Sequence, residues 1–195
     1  LNGEPPAGSA DRRAPQVMEN YYVRYLQLGF HLAPTGNQDN HQENWGTATE
    51  VRTAILSEQL TKPALLAALR ARHTYATEDR NLKVIARIGG RLMGDVIRSQ
   101  DSPTPQLLEL RIQDEDEPDA DYTIEVIRGR IGGPLAGVAA SHRIKSNTPA
   151  GSSISLGKVD FPQTGTFLFL RITQSSKSGD DRVWTAPVWW EAGNE

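Results

Sequence analysis

Asp39, Asn40 and His41 are the residues of this chain whose types and spacing best suit chemistry. They lie in Ala33-Pro-Thr-Gly-Asn-Gln-Asp-Asn-His-Gln-Glu-Asn-Trp-Gly46, the densest run of polar side chains in the sequence. Asp39 and His41 are two positions apart, so an extended backbone between them points both side chains the same way. A carboxylate and an imidazole so placed make half of a divalent-metal site. Zn accepts nitrogen and oxygen at about 2.0 to 2.2 Å, and Mn or Fe tolerates the same mixture. Gly36 and Gly46 let the chain turn around an ion, and Asn37, Gln38, Asn40, Gln42 and Asn44 can hydrogen-bond the ligands from behind. Glu43 is a candidate ligand or water orienter. Two ligands do not complete a site, because a structural zinc takes about four protein ligands and a catalytic one about three plus water. His31, His73 and His142 do not extend the motif locally, and His73 is expected to complement the negative end of a helix. On spacing alone, Asp39-x-His41 is a weak signal and an ordinary polar loop is the stronger reading.

The elements that would position this loop can be read from the flanking periodicity. Residues 1–15 are rich in Pro, Gly and Ala and predict a loop or ragged end. From Gln16 to Gly29, Val17 or Met18, Tyr21 or Tyr22, Tyr25 and Leu28 recur at spacings of three to four. This predicts an amphipathic helix opened by Pro15 and closed by Gly29. Phe30 to Ala33 is expected to be a short strand leading into the polar loop. A second helix is expected from Lys62 to His73, with Thr61 as N-cap and Leu65, Leu66 and Leu69 on its buried face. Helix, strand, polar loop, helix is the order of an α/β enzyme, whose active-site loops follow the strands.

After Asn81 the period becomes two. Leu82, Val84, Ala86 and Ile88 alternate with Lys83, Ile85 and Arg87, and further strands are expected at 92–97, 107–112, 122–128, 135–141, 153–157, 166–173 and 182–190. Short strands separated by turn residues favour an antiparallel sandwich. The chain thus divides at about residue 80, into residues 1–80 and a sandwich at 81–195. Six of the eight residues from Asp114 to Asp121 are acidic, without the glycine and alternation of an EF-hand loop, and predict a solvated hairpin loop. Gly129 to Gly133 predicts a turn rather than a phosphate-binding loop. On one alternating strand, Trp184 and Trp190 would face one way and Trp189 the other, burying at least one.

Charge excludes little and suggests less. With 24 acidic and 21 basic residues and a formal net charge of -3, the chain lacks a nucleic-acid footprint. It contains no cysteine, and no apolar run reaches the roughly 18 to 20 residues of a membrane span. A soluble protein, cytoplasmic or exported, is compatible with this composition.

Residues 30–81 resemble the closing part of the PHP (polymerase and histidinol phosphatase) superfamily, in its CehA/McbA-like branch. The resemblance rests on Leu32-Ala-Pro-Thr-Gly-Asn-Gln-Asp-Asn-His41, Asn44-Trp-Gly46, Leu65 to Thr77, Leu82 to Gly94, Phe167 to Thr173 and Thr185 to Trp189. It implies a distorted (β/α) barrel, two or three divalent metals, and hydrolysis of phosphate esters. The family's late Asp-x-His motif maps to Asp39 and His41 as metal ligands, with Gln38 where a serine is usual. Asn37, Asn40, Glu43 and Asn44 would support the ligands, while Arg72, Arg80 and Lys83 could meet phosphate charge. The family's earlier His-x-His segment is absent, and a closed barrel takes about 250 residues. The expectation is therefore a carboxy-terminal fragment completed by an N-terminal fragment or chain, acting on a small-molecule ester. The alternatives are a non-catalytic β-sandwich module for binding or structure, beside a degenerate metal domain, and a non-phosphate metallohydrolase on the same scaffold.

Overall fold

The computed structural model describes residues 17–39, 41, 43–100, 104–177 and 179–193. Its framework is two facing sheets. The larger contains β1 (Arg52–Ile55), β2 (Thr74–Thr77), β5 (Val96–Arg98), β7 (Asp121–Arg130), β8 (Gly137–Lys145), β10 (Thr166–Ser175), β11 (Asp180–Thr185) and β12 (Val188–Glu191). The smaller is made of β4 (Arg91–Leu92), β3 (Lys83–Ile88), β6 (Gln106–Gln113) and β9 (Ile154–Val159), hydrogen-bonded in that order. Among the described residues the helices are α1 (Glu19–Gln27) and α2 (Lys62–Arg70).

Alternation explains the smaller sheet. Val84, Ala86 and Ile88 on β3, and Leu108, Leu110 and Ile112 on β6, turn inward and are buried. They meet Tyr122, Ile124 and Val126 of β7 and Leu168, Leu170 and Ile172 of β10. Burying each leucine or isoleucine contributes about 1.5 to 3 kcal/mol.

β10 is the centre of the molecule. Its run Thr166-Phe-Leu-Phe-Leu170 is buried on both faces, as expected of a strand covered on both sides. Leu168 and Leu170 face the small sheet, while Phe167 and Phe169 face a second core formed with Val23 and Leu26 of α1, Ile127, Trp184 and Trp189. The result is three layers: small sheet, large sheet, and α1.

Along one side β10 pairs with β7, and along the other with β11 and then β12. Arg171 faces Trp184 and Leu168 faces Val188, so three steps on β10 oppose four on its partner. The extra residue is a bulge next to Pro187, which has no N–H to give a ladder. It breaks the expected single strand 182–190 and reverses the facing of the residues beyond it. Trp184 and Trp189 consequently share the α1-side core, and Trp190 enters the other, stacked on Phe161 at 5.1 Å.

The expected barrel is corrected by this topology. Among the described residues all strand pairings are antiparallel except β12 with β5, whereas a (β/α) barrel alternates parallel strands with helices. Phe30 to Ala33 form no strand, and β1 and β2, on the N-terminal side of residue 80, extend the large sheet through β11. No helix of the described residues is long and apolar enough to cross a membrane.

Candidate functional site

The polar loop folds back on itself beside β1. The Gly36 amide donates to Thr53 Oγ1 at 2.9 Å, and that hydroxyl donates to the Gly36 carbonyl at 3.0 Å. A Cβ on Gly36 would lie 2.4 Å from the Arg52 carbonyl oxygen, so only glycine allows this approach. Gln38 staples the loop, donating to the Thr49 carbonyl at 2.8 Å and accepting from the Gly46 amide at 3.0 Å. Arg52 donates to the carbonyls of Gly46, Thr49 and Val51. Gln38 and Arg52 therefore hold a closed loop, a role that their chemistry alone does not reveal.

Asp39, His41 and Glu43 are exposed on that loop. Asp39 has φ 45°, which departs from the extended backbone that would align its side chain with that of His41. The His41 ring turns back instead, its Nδ1 lying 2.8 Å from the Asp39 carbonyl oxygen. Asn37 donates to Thr35 Oγ1, and the Asn44 carbonyl accepts from Thr47. Asn40 and Gln42 lie outside the described residues. Arg80 is on the surface, 3.7 Å from Glu50 and 3.5 Å from Asp116. Among the described residues no three His, Asp or Glu side chains stand close enough to hold a metal ion. Among the described residues no third such ligand stands beside Asp39 and His41, whereas a catalytic zinc takes about three protein ligands.

The comparisons with known proteins are negative. No family model, curated protein or solved structure matches this chain. The resemblance to a PHP-type metallohydrolase is thus overturned by the antiparallel fold and by the missing ligand cluster, and with it the phosphoesterase reading and the identification as part of such an enzyme.

The three C-terminal tryptophans are structural. Trp184, Trp189 and Trp190 are all buried. Trp184 Nε1 donates to Glu19 Oε2 at 2.7 Å, and Glu19 Oε1 pairs with Arg171 at 2.8 Å. Arg171 also pairs with Glu125 at 2.8 Å, and these hydrogen bonds, that of Glu125 foremost, hold its pKa above the usual guanidinium value. Glu19 in this way ties α1 to the large sheet.

α1 presents the opposite face from the expected one. Tyr22, Val23 and Leu26 pack inward, Tyr22 edge-on to Phe169 at 5.7 Å. Met18, Tyr21, Tyr25 and Leu28 are 56%, 61%, 49% and 64% exposed. On α2 likewise, Ala68 is buried while Leu66 and Leu69 are exposed. The periodicity of Val17 or Met18, Tyr21 or Tyr22, Tyr25 and Leu28 did not include Val23 and Leu26, the residues the sheet takes.

The acidic run is only partly solvated. Asp114 is buried, its Oδ1 accepting from the Asp116 and Glu117 amides and its Oδ2 from Gln174 Nε2 at 2.7 Å. Asp181 is opposite Gln174 on the next strand. Burial first, then the charges of Asp79, Glu78, Glu117 and Asp114, raise its pKa above the usual carboxylate value.

A cleft of about 340 Å³ opens between the 31–35 segment and the end of α2. His31, Thr35, Arg70 and Arg72 supply its polar wall, and Leu32 and Leu69 its apolar one. His31 lies over Trp189 with ring centroids 4.6 Å apart, and its Nε2 is 2.6 Å from Glu191 Oε1. Arg72 sits over the same indole at 5.4 Å and donates from Nε to the Gly94 carbonyl at 3.1 Å. Gly94 has φ 101°, and a Cβ there would lie 2.5 Å from the Arg72 carbonyl oxygen. His73, expected to serve the helix dipole, instead meets Asp95 Oδ1 at 2.9 Å.

Proposed function

We propose that this chain is a non-catalytic β-sandwich module that docks, through the outer side of α1, onto a helix of another polypeptide in the same assembly. The observation that carries the reading is the spacing of Met18, Tyr21, Tyr25 and Leu28. They follow one another by three, four and three residues, the spacing of an a/d seam that packs against a second helix. Their exposure leaves that seam open. Phe30 continues it in edge-on contact with Tyr25 at 5.8 Å, and Leu32 carries the apolar surface into the cleft where Leu69 lies. Contiguous apolar surface of this kind marks interaction sites more often than isolated exposed residues do. The inner side of α1 is committed to the sheet through Val23, Leu26 and Glu19, so the helix is held rigidly for docking.

The test is the mass of the native particle and its contact map. The particle isolated from its source is expected to exceed the 21.5 kDa of the chain, with a photo-crosslinker at Tyr21 or Tyr25 joining it to a helix of a different polypeptide. Tyr21→Glu combined with Tyr25→Glu should release the chain as a folded monomer. A native particle of the lone chain, crosslinks only to a second copy, or an assembly indifferent to the double substitution would each refute the proposal.

A further inference from the structure

We propose that the cleft between the 31–35 segment and the end of α2 binds a small organic anion, its oxyanion group held by Arg70 and Arg72 and its apolar body against Leu32 and Leu69. The inference does not depend on the α1 seam. None of the residues lining the cleft is acidic, whereas two are arginines and one is a histidine. Among the described residues no carboxylate pairs with Arg70 or Arg72. Glu191, which meets His31 of the lining, is also engaged by Arg98 at 2.8 Å. Arg72 gives Nε to the Gly94 carbonyl and Nη1 to the Arg70 carbonyl, and its remaining N–H groups together with the Arg70 guanidinium suit the oxygens of a carboxylate or phosphate. The volume is at the lower end of small-molecule sites, about 300 to 1,000 Å³, which selects a compact ligand.

Arg72 supplies an independent observation. α2 ends with the Arg72 amide donating to the Leu69 carbonyl and the His73 amide to the Ala68 carbonyl, the bond pattern of a Schellman motif. Arg72 occupies the left-handed position of that motif, with φ 61°, where glycine is favoured. An arginine is therefore kept at a backbone cost. Complementing the helix dipole does not account for it, because a basic residue in the last turn does that without strain, and Arg70 is already there. Strained positions of this kind cluster at ligand sites. The negative end of the α2 dipole opposes an anion, but it amounts to roughly half a charge against two full guanidinium charges.

Isothermal titration of the full chain at low ionic strength tests this with benzoate, phenyl phosphate and, as the neutral counterpart, benzyl alcohol. Saturable binding of at least one anion is expected, weakened tenfold or more in both Arg70→Gln and Arg72→Gly and weakened again by added salt. Arg72→Gly relieves the left-handed strain, so a thermal melt should show it folded, and Arg70→Gln gives a second reading. Binding of benzoate alone or phenyl phosphate alone assigns the oxyanion, and binding of both assigns the shared chemistry. The proposal is overturned if neither anion binds, if benzyl alcohol binds as well as benzoate, or if affinity is unchanged in both variants.

Discussion

Replacing Glu19 tests how α1 is fastened to the sheet. Its carboxylate joins two partners on different strands, Arg171 on β10 at 2.8 Å and Trp184 on β11 at 2.7 Å. Glu19→Ala removes both bonds. Arg171 keeps Glu125, so the lost ion pair, part-exposed and screened, costs about 1 kcal/mol or less. Trp184 keeps no acceptor, and an unsatisfied buried N–H costs about 1 to 3 kcal/mol. The total is about 1 to 4 kcal/mol. For a domain of this size it corresponds to a Tm lower by about 2 to 16 °C if the whole domain melts together. Glu19→Gln retains an acceptor for the indole and loses only the charge, so it should recover more than half of that loss. Thermal melts followed by circular dichroism, together with hydrogen exchange of the 22–28 amides, make the measurement. Exchange is needed because α1 can detach while the two sheets persist. An alanine variant with unchanged Tm and unchanged exchange in α1 would refute the reasoning, as would a glutamine variant as unstable as the alanine one.

Two further outcomes are expected at the end of the sandwich and in the loop. Because the Asp181 pKa is raised, the folded state takes up a proton there more readily than the unfolded chain, so the ionised group destabilises the fold above its folded pKa. Asp181→Asn should therefore raise Tm at pH 7, by an amount that shrinks as pH falls through the folded pKa and is absent below the ordinary carboxylate value of about 3.9; equal melts at pH 7 would contradict this. Asp39→Ala combined with His41→Ala should leave both Tm and its response to added Mn²⁺ unchanged, since among the described residues no third ligand stands beside these two exposed side chains; a Mn²⁺-dependent difference in melting would restore the metal reading.

The sandwich was legible where a strand has one wet face. β3 and β6 alternate cleanly, and the turn residues that end them are local. β1 and β2 were not, because four residues are too few to show a period, and all of β2 is buried. The Phe30 to Ala33 segment has strand-forming residues but no partner to ladder with. Its neighbours instead draw it across the surface, through the Tyr22 hydroxyl on the Leu32 carbonyl and His31 on Trp189. At the candidate sites, sequence reasoning selected Asp39 and His41 by residue type and passed over Arg70. It considered Arg72 only as a contact for phosphate. The signal at Arg72 was a helix ending without glycine, which becomes meaningful only once φ is known. The tryptophans misled for the opposite reason: alternation was assumed across Pro187, where one additional residue resets it.

That reset makes β11 and β12 two reading frames of one strand. Deleting one residue between Thr185 and Val188 would set three steps opposite three, so the bulge would close while Leu168 still faces Val188 and Phe167 still faces Trp189. Trp189 would stay in the core beside α1 and Trp190 against Phe161. At its present length the strand needs the additional residue beside Pro187 for Trp184 and Trp189, five positions apart, to share one core, and the cleft wall resting on Trp189 depends on it.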